Sequence, residues 1–519
     1  ITNQLDKRID RALRELDRFR AARRVPVRFI ETAPKGENWR AFENGASWGE
    51  ASPWQDFRFE AQVPEDFAGR ALIRAVTGRE GLWDATNPQF EARLNGRMEQ
   101  ALDVNHTALP LGMAEAVRGR RFSLLLNGYC PPVQPGESAP RLTLTLEDED
   151  PETAMLYYDL SVPWQGAVLL PEGDWDREHT LEILSRAVDL LDLRHPHSGA
   201  YSLSVRAARA YLQREYYEKR ASLPACATAE CVGHTHIDVA WLWDLEQTRH
   251  KAVRSFSTVL KLMEQYPEYK FMSSQAVLYQ MVKEDEPELY QRIQKAVSEG
   301  RWEPEGGMWV EADCNVTSGE SLARQFLYGQ RFFREEFGKT CRILWLPDVF
   351  GYSAALPQLM KLSGIDYFMT TKLSWSEFNL TPCDTFLWKG IDGTEVLTHF
   401  SPTREPDYGH LNQEDNDDHG LPNYTTYNAL LQPSQIRGGW LRFQQKELDD
   451  HYLVSYGFGD GGGGPTEWML ENARRMAAPA PGTPKVTQRF ALQFFRGLEE
   501  RVAHDPRLPK WSGELYLEY

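Results

Sequence analysis

The feature that most constrains this chain is the order of apolar runs and helical periods from about residue 225 onward. Thr228-Ala-Glu-Cys-Val-Gly-His-Thr-His reads as a strand, and residues 251–265, with Phe256, Val259, Leu260 and Met263, as a helix. Lys270-Phe-Met-Ser-Ser reads as the next strand and 286–299 as the next helix. Ile343-Leu-Trp-Leu-Pro-Asp, a helix near 356–363 and Asp366-Tyr-Phe-Met-Thr-Thr continue the pattern. Strands separated by helices must be joined by crossovers, so this alternation predicts a mostly parallel sheet or barrel. Functional side chains in such folds stand at the C-terminal ends of the strands.

The first half has a different texture. Leu5, Ile9, Leu13, Leu16 and Phe19 share one helix face between residues 3 and 24. From about 38 to 170, alternating runs such as Phe57-Arg-Phe-Glu-Ala-Gln-Val and Arg141-Leu-Thr-Leu-Thr-Leu are separated by Pro and Gly clusters, which reads as antiparallel strands. Residues 176–220 return to a helical period, with Leu181, Ile183, Leu184, Ala187, Leu190 and Leu191, and Pro224 closes them. The expected organisation is an α/β chain with an N-terminal helix (1–25), a β-sandwich-like accessory domain (26–175) and a helical linker (176–224). A mostly parallel (β/α) barrel-like catalytic domain (225–505) and the start of a following region (506–519) complete it.

Charge narrows the partners. With 58 Lys and Arg against 75 Asp and Glu among 519 residues, the net charge of −17 argues against nucleic acid or an anionic membrane. No apolar run approaches the roughly 20 residues of a membrane span. Six cysteines without a C-x-x-C pair read as free thiols of a reducing, cytoplasmic compartment, and the polar first residues do not form a signal peptide. Association into a homo-oligomer is left open.

Four stretches can carry chemistry. In Gly233-His-Thr-His-Ile-Asp-Val-Ala-Trp-Leu-Trp243, strand alternation would put His234, His236 and Asp238 on one face. Two imidazoles and a carboxylate there suit a divalent metal such as zinc, and a polar strand end with hydrogen-bonded histidines accounts for the pattern as well. In Trp345-Leu-Pro-Asp-Val-Phe-Gly-Tyr-Ser353, Asp348 follows an apolar strand, placed to ligate a metal, attack a substrate or cap the next helix. Gly306-Gly-Met-Trp-Val-Glu-Ala-Asp carries Glu311 and Asp313 beside Trp309, as pocket lining or as surface acids. Tyr456-Gly-Phe-Gly-Asp-Gly-Gly-Gly-Gly-Pro-Thr466 lacks the Lys of a phosphate loop, so its glycines are expected to let the backbone approach a ligand closely or to form a flexible loop.

Together these stretches resemble a family 38 glycoside hydrolase, a retaining α-mannosidase, and most of all its cytosolic branch. The resemblance also draws on Ser318-Gly-Glu-Ser-Leu-Ala-Arg-Gln-Phe-Leu, Thr371-Lys-Leu-Ser-Trp and Gly513-Glu-Leu-Tyr-Leu-Glu, and the motifs run in order from about 230 to 519. It implies one zinc (cobalt or manganese fit the same donors) held by His236, Asp238 and Asp348, with Asp348 also the nucleophile and His234 in support. It implies substrate contacts from Trp241, Phe350, Asp313, Lys372 and Asp460, on a mannose-containing oligosaccharide. The general acid/base should follow Thr394-Glu-Val-Leu-Thr-His-Phe, where Asp407 is chosen and Glu405 is its rival. The family's fourth zinc ligand lies in a His-Asp motif beyond the segment in which Tyr519 falls, and His399 as a substitute competes with a strand-packed role. The chain is thus expected to be the N-terminal portion of a longer enzyme, and alone to bind zinc weakly and turn over little. Two other functions stay open: a metal-dependent hydrolase of another bond, deacetylase-like, with Asp348 as base, and a sugar- or metal-binding fragment without turnover.

Overall fold

The computed structural model describes residues 2–517 except 51, 83–86, 134–135, 137, 377, 380 and 405–423. The chain has α/β content and several sheets, and it divides into two compact units. One comprises residues 1–223, 253–261 and 461–466, the other 224–252, 262–460 and 467–519.

In the first unit, two antiparallel sheets share one apolar core. The four-stranded sheet runs Ala21–Pro26, Thr143–Glu149, Arg70–Val76, Ala108–Met113. In the six-stranded sheet, Trp54–Gln62 pairs with Arg121–Tyr129 over nine residues, from Trp54 opposite Tyr129 to Gln62 opposite Arg121. Alternation sends Phe57, Phe59, Leu124 and Leu126 inward to meet Ile73, Leu144 and Leu146 of the other sheet.

Residues 151–168 depart from the strand-like texture expected up to about 170: Pro151–Val168 is a helix. Asp150 accepts from the Glu152 and Thr153 amides, and Pro151 stands at the first helical position, where its missing N–H costs nothing. Leu156, Tyr158, Leu160 and Val162 are all buried, so neighbours cover several sides of the helix and a strand-like apolar spacing results. Leu156 and Leu160 pack with Ile9, Leu13 and Leu16 of helix Thr2–Phe19 and with Leu181, Leu184, Tyr201 and Val205. The N-terminal helix and the segment expected as a linker therefore belong to one helical bundle.

The second unit has two five-stranded, mostly parallel sheets. In the first, Trp302–Pro304, Phe271–Ser273, Thr228–Gly233 and His451–Tyr456 lie side by side, and Lys485–Gln488 also pairs with Thr228–Gly233. The second runs Ile343–Trp345, Tyr367–Thr370, Glu395–Phe400, Thr385–Lys389, Lys510–Ser512, with one antiparallel pairing, between Thr385–Lys389 and Glu395–Phe400. Val232, Met272 and Leu453 of one sheet meet Ile343, Trp345, Tyr367, Met369 and Leu397 of the other in a single apolar cluster. Among the described residues, no helix is long and apolar enough to cross a membrane.

Two carboxyls, Glu305 buried and Glu303 half-buried, brace this unit. Glu303 accepts from the Ala491 and Leu492 amides at the start of helix Ala491–Val502, and Glu305 from the Arg342 and Ile343 amides. Burial raises both, Glu303 to about 8, with the charge of Glu305 adding to it, and Glu305 to about 7. The unfolded chain ionises them near 4.5 while the folded chain keeps their protons, so stability falls as pH rises from about 4.5 to about 8. Urea denaturation at pH 5 and pH 8.5 should show Glu303→Gln losing less stability over that interval than the parent; an equal loss would refute the assignment.

Candidate active site

Parallel register brings distant segments to one edge. Gly233 pairs with Tyr456 at the ends of their strands, so the chain after each leaves on the same side. The His234 amide donates to the Tyr456 carbonyl at 2.9 Å and Thr235 Oγ1 to the Phe458 carbonyl at 3.1 Å. This places His236 and Asp238 beside Asp460. In the other sheet, Ile343–Trp345 and Tyr367–Thr370 are parallel neighbours, and Thr371 Oγ1 donates to the Pro347 carbonyl at 2.8 Å. Asp348 and Lys372 therefore emerge together, with Lys372 Nζ 2.6 Å from Asp348 Oδ1.

The strand ends at Gly233, so His234, His236 and Asp238 lie in the irregular segment beyond it. His236 is the hub. Its Nδ1 is 2.9 Å from Glu311 Oε2, and its Nε2 is 3.5 Å from Asp238 Oδ1 and 3.6 Å from Asp348 Oδ2. Burial works against a charge on this ring, but Glu311 and Asp238 outweigh it and push its pKa well above 6.5. His234 has no such partner: burial, aided by His236, lowers it to about 3, and its Nε2 approaches Ser274 Oγ at 3.5 Å. Asp460 is raised by burial; Tyr427 Oη donates to its Oδ1 at 2.9 Å and Asn428 Nδ2 to its Oδ2 at 3.1 Å. Gly459 must be glycine here, since a Cβ would fall 2.3 Å from Asn428 Oδ1 and 3.1 Å from the His236 Cβ.

The cluster fits a divalent ion. Both nitrogens of the His236 ring are buried and neither makes a hydrogen bond within the chain. Separations of 3.5 and 3.6 Å to two carboxylates are long for hydrogen bonds. They match the edge of about 3.3–3.6 Å between two donors that each sit 2.0–2.2 Å from one tetrahedral ion. Donor atoms of His236, Asp238 and Asp460 all lie within 4.8 Å of one another, and Asp348 Oδ2 approaches this group at His236 Nε2, 3.6 Å away.

The other expected site residues are placed as follows. Lys372 is buried, its ammonium 4.7 Å from the Phe350 ring centroid and 4.2 Å from that of Trp375, which stacks on Tyr424. Its charge is thus directed at Asp348. Phe350 and Trp241 are 47% and 50% exposed, each offering part of a ring to an incoming molecule. Asp313 is exposed, and its Oδ1 closes a turn by accepting from the Asn315 and Val316 amides. His399 is packed inside the sheet, with Nδ1 2.9 Å from Thr385 Oγ1 and Nε2 accepting from the Leu453 amide at 3.3 Å. Asp407 and Glu405 lie outside the described residues. In the first unit, Gly463 has φ +88° and a Cβ there would lie 2.8 Å from the His106 ring, so the close approach expected of the glycine run is, at that position, to a protein side chain. Tyr427, Asn428, Ser274 and Gln275 had no signal in the sequence, because their roles depend on segments far away in the chain.

Residues 227–514, just over half of the chain, match the Glycosyl hydrolases family 38 N-terminal domain. The chain is 46% identical over 287 residues to Alpha-mannosidase G of Dictyostelium discoideum, covering 55% of this chain and 24% of that protein. It is 37% identical over 389 residues to an Alpha-mannosidase of Saccharomyces cerevisiae, covering 71% and 33%, respectively. It is 43% identical over 291 residues to Alpha-mannosidase 2C1 of Homo sapiens, covering 56% and 26%. The matched part thus spans a quarter to a third of the length of these relatives.

Proposed function

Because the chain belongs to glycosyl hydrolase family 38, we propose that it carries the active site of a retaining α-mannosidase, releasing terminal α-linked mannose from oligosaccharides. The observation that carries this reading is the approach of Asp238 and Asp348 to the buried His236 Nε2, with Lys372 on the far oxygen of Asp348. In this reading the two sheets of the second unit are the walls of a barrel-like catalytic domain. The two antiparallel sheets of the first unit are an accessory sandwich.

His236, Asp238 and Asp348 would hold the ion, zinc by this donor set, although cobalt or manganese accept the same atoms. When bound, the ion supplies a template and electrostatic clamp for the sugar's 2- and 3-hydroxyls. The protein does the rest. Asp348, oriented by Lys372, attacks the anomeric carbon and forms a glycosyl–enzyme as the leaving oxygen departs. A second carboxyl donates a proton to that oxygen, then takes one from the incoming water, whose attack frees Asp348 with the configuration retained. We place this step on Asp460, which is held by Tyr427 and Asn428 beside His236 and Asp238; Asp407 is the alternative from the sequence. The faces of Trp241 and Phe350 would pack on the sugar's C–H surface, with Asp313 and Lys372 as polar lining. Six unpaired cysteines support a reducing compartment.

Azide rescue with an activated aryl α-mannoside tests the roles. Asp348→Ala should give β-mannosyl azide, since azide then attacks the face the carboxylate vacated. Asp460→Ala should give α-mannosyl azide, formed from the intact glycosyl–enzyme. α-Mannosyl azide from Asp407→Ala, with none from Asp460→Ala, would move the proton step to Asp407.

A further inference from the structure

We propose that Glu311 is a positioning residue for the metal-binding imidazole: it holds His236 by Nδ1 so that Nε2 is presented as a donor. The proposal rests on the reading that this cluster binds an ion. Three observations carry it. First, Glu311 Oε2 is 2.9 Å from His236 Nδ1, and the two side chains are only 6% and 4% exposed. A carboxylate so far from water is costly unless its charge is matched, and the imidazole is the partner it faces. The Glu311 charge beside Nδ1 favours a ring proton on that side and leaves Nε2 facing Asp238 and Asp348.

Second, the carboxylate is itself fixed, since Ser274 Oγ donates to Glu311 Oε1 at 2.9 Å. Third, one side chain ties the two backbones together. Gln275 Oε1 accepts from the Glu311 amide at 3.0 Å, while its Nε2 donates to the Ile237 carbonyl at 2.7 Å, between His236 and Asp238. Tyr427 closes the other side of the imidazole, edge-on at 4.9 Å between centroids. A carboxylate that only balanced a buried charge would need none of this bracing. The arrangement fixes the ring's position, rotation and tautomer together.

The test is zinc affinity, measured by competition with a chromophoric chelator at one pH in the full-length protein, with cobalt absorption as a second readout. Glu311→Ala should weaken zinc about 10–100-fold and alter the cobalt spectrum. Glu311→Gln, which keeps the shape and an acceptor oxygen, should weaken it less. His236→Ala is the control. If His236→Ala loses zinc while both Glu311 variants bind within about twofold of the parent, the proposal fails and the metal site stands. If His236→Ala binds zinc as the parent does, the metal-site reading fails, and the role of Glu311 with it. Should Glu311→Ala not fold, as judged by circular dichroism of the zinc-free protein, the isosteric Glu311→Gln decides alone: parent-like affinity and cobalt spectrum overturn the proposal.

Discussion

Asp348→Ala is expected to lower kcat/KM for an aryl α-mannoside by about 10⁴-fold or more, the largest effect of any single substitution here. The size follows from what the carboxylate does. In the proposed mechanism it is both donor and nucleophile, and it lies 3.6 Å from His236 Nε2 and 2.6 Å from the Lys372 ammonium. Removing it closes the two-step path and leaves only slow direct attack by water. Asp348→Asn separates the two jobs, because the amide keeps one oxygen donor but cannot form the glycosyl–enzyme. Its zinc content should stay nearer to that of the parent while its turnover falls as far. A loss of less than tenfold in either variant, measured on purified protein, would show that the covalent step lies elsewhere.

His236→Ala is expected to have the next largest effect: loss of bound zinc and a fall of activity to background. His236 Nε2 faces both Asp238 and Asp348, so its loss removes the imidazole donor that the proposed site places between them. Elemental analysis of the full-length protein should find zinc in the parent and little in the variant. Chelator should inactivate the parent and added zinc restore it, while added zinc should not rescue His236→Ala. Stoichiometric zinc in the variant would contradict the assigned donors.

Much of the second unit was legible because parallel strands buried on both faces are written as short apolar runs. Ile343–Trp345 and Tyr367–Thr370 are such runs, entirely buried. Residues 151–168 misled because a helix covered on several sides carries no clean amphipathic period. At the site, His236, Asp238 and Asp348 stood out because chemistry-bearing residues cluster just after strand ends. What stayed hidden was pairing across the chain. Glu311 reaches His236 from 75 positions away, and Asp460 arrives beside it only because Gly233 and Tyr456 fall in register. The spacing of the histidines suggested one strand face; both lie in irregular chain just beyond Gly233, where His236 stands by the carboxylates and His234 by Ser274. Asp313, a plausible lining residue in the sequence, spends one carboxylate oxygen on a local turn.

The central claim is that Asp348 becomes covalently bonded to the sugar, and trapping tests it most directly. The full-length protein is incubated with a fluorinated mannosyl fluoride, which forms the glycosyl–enzyme faster than it releases it. The protein is then digested and the peptides weighed. The expected result is one fluoromannosyl group per active site, on the peptide and side chain of Asp348, absent in Asp348→Asn. Steady hydrolysis of an α-mannoside by zinc-loaded protein, with no adduct or with the adduct on another residue, would contradict it, and the absence of any adduct would favour direct attack by water with Asp348 as base.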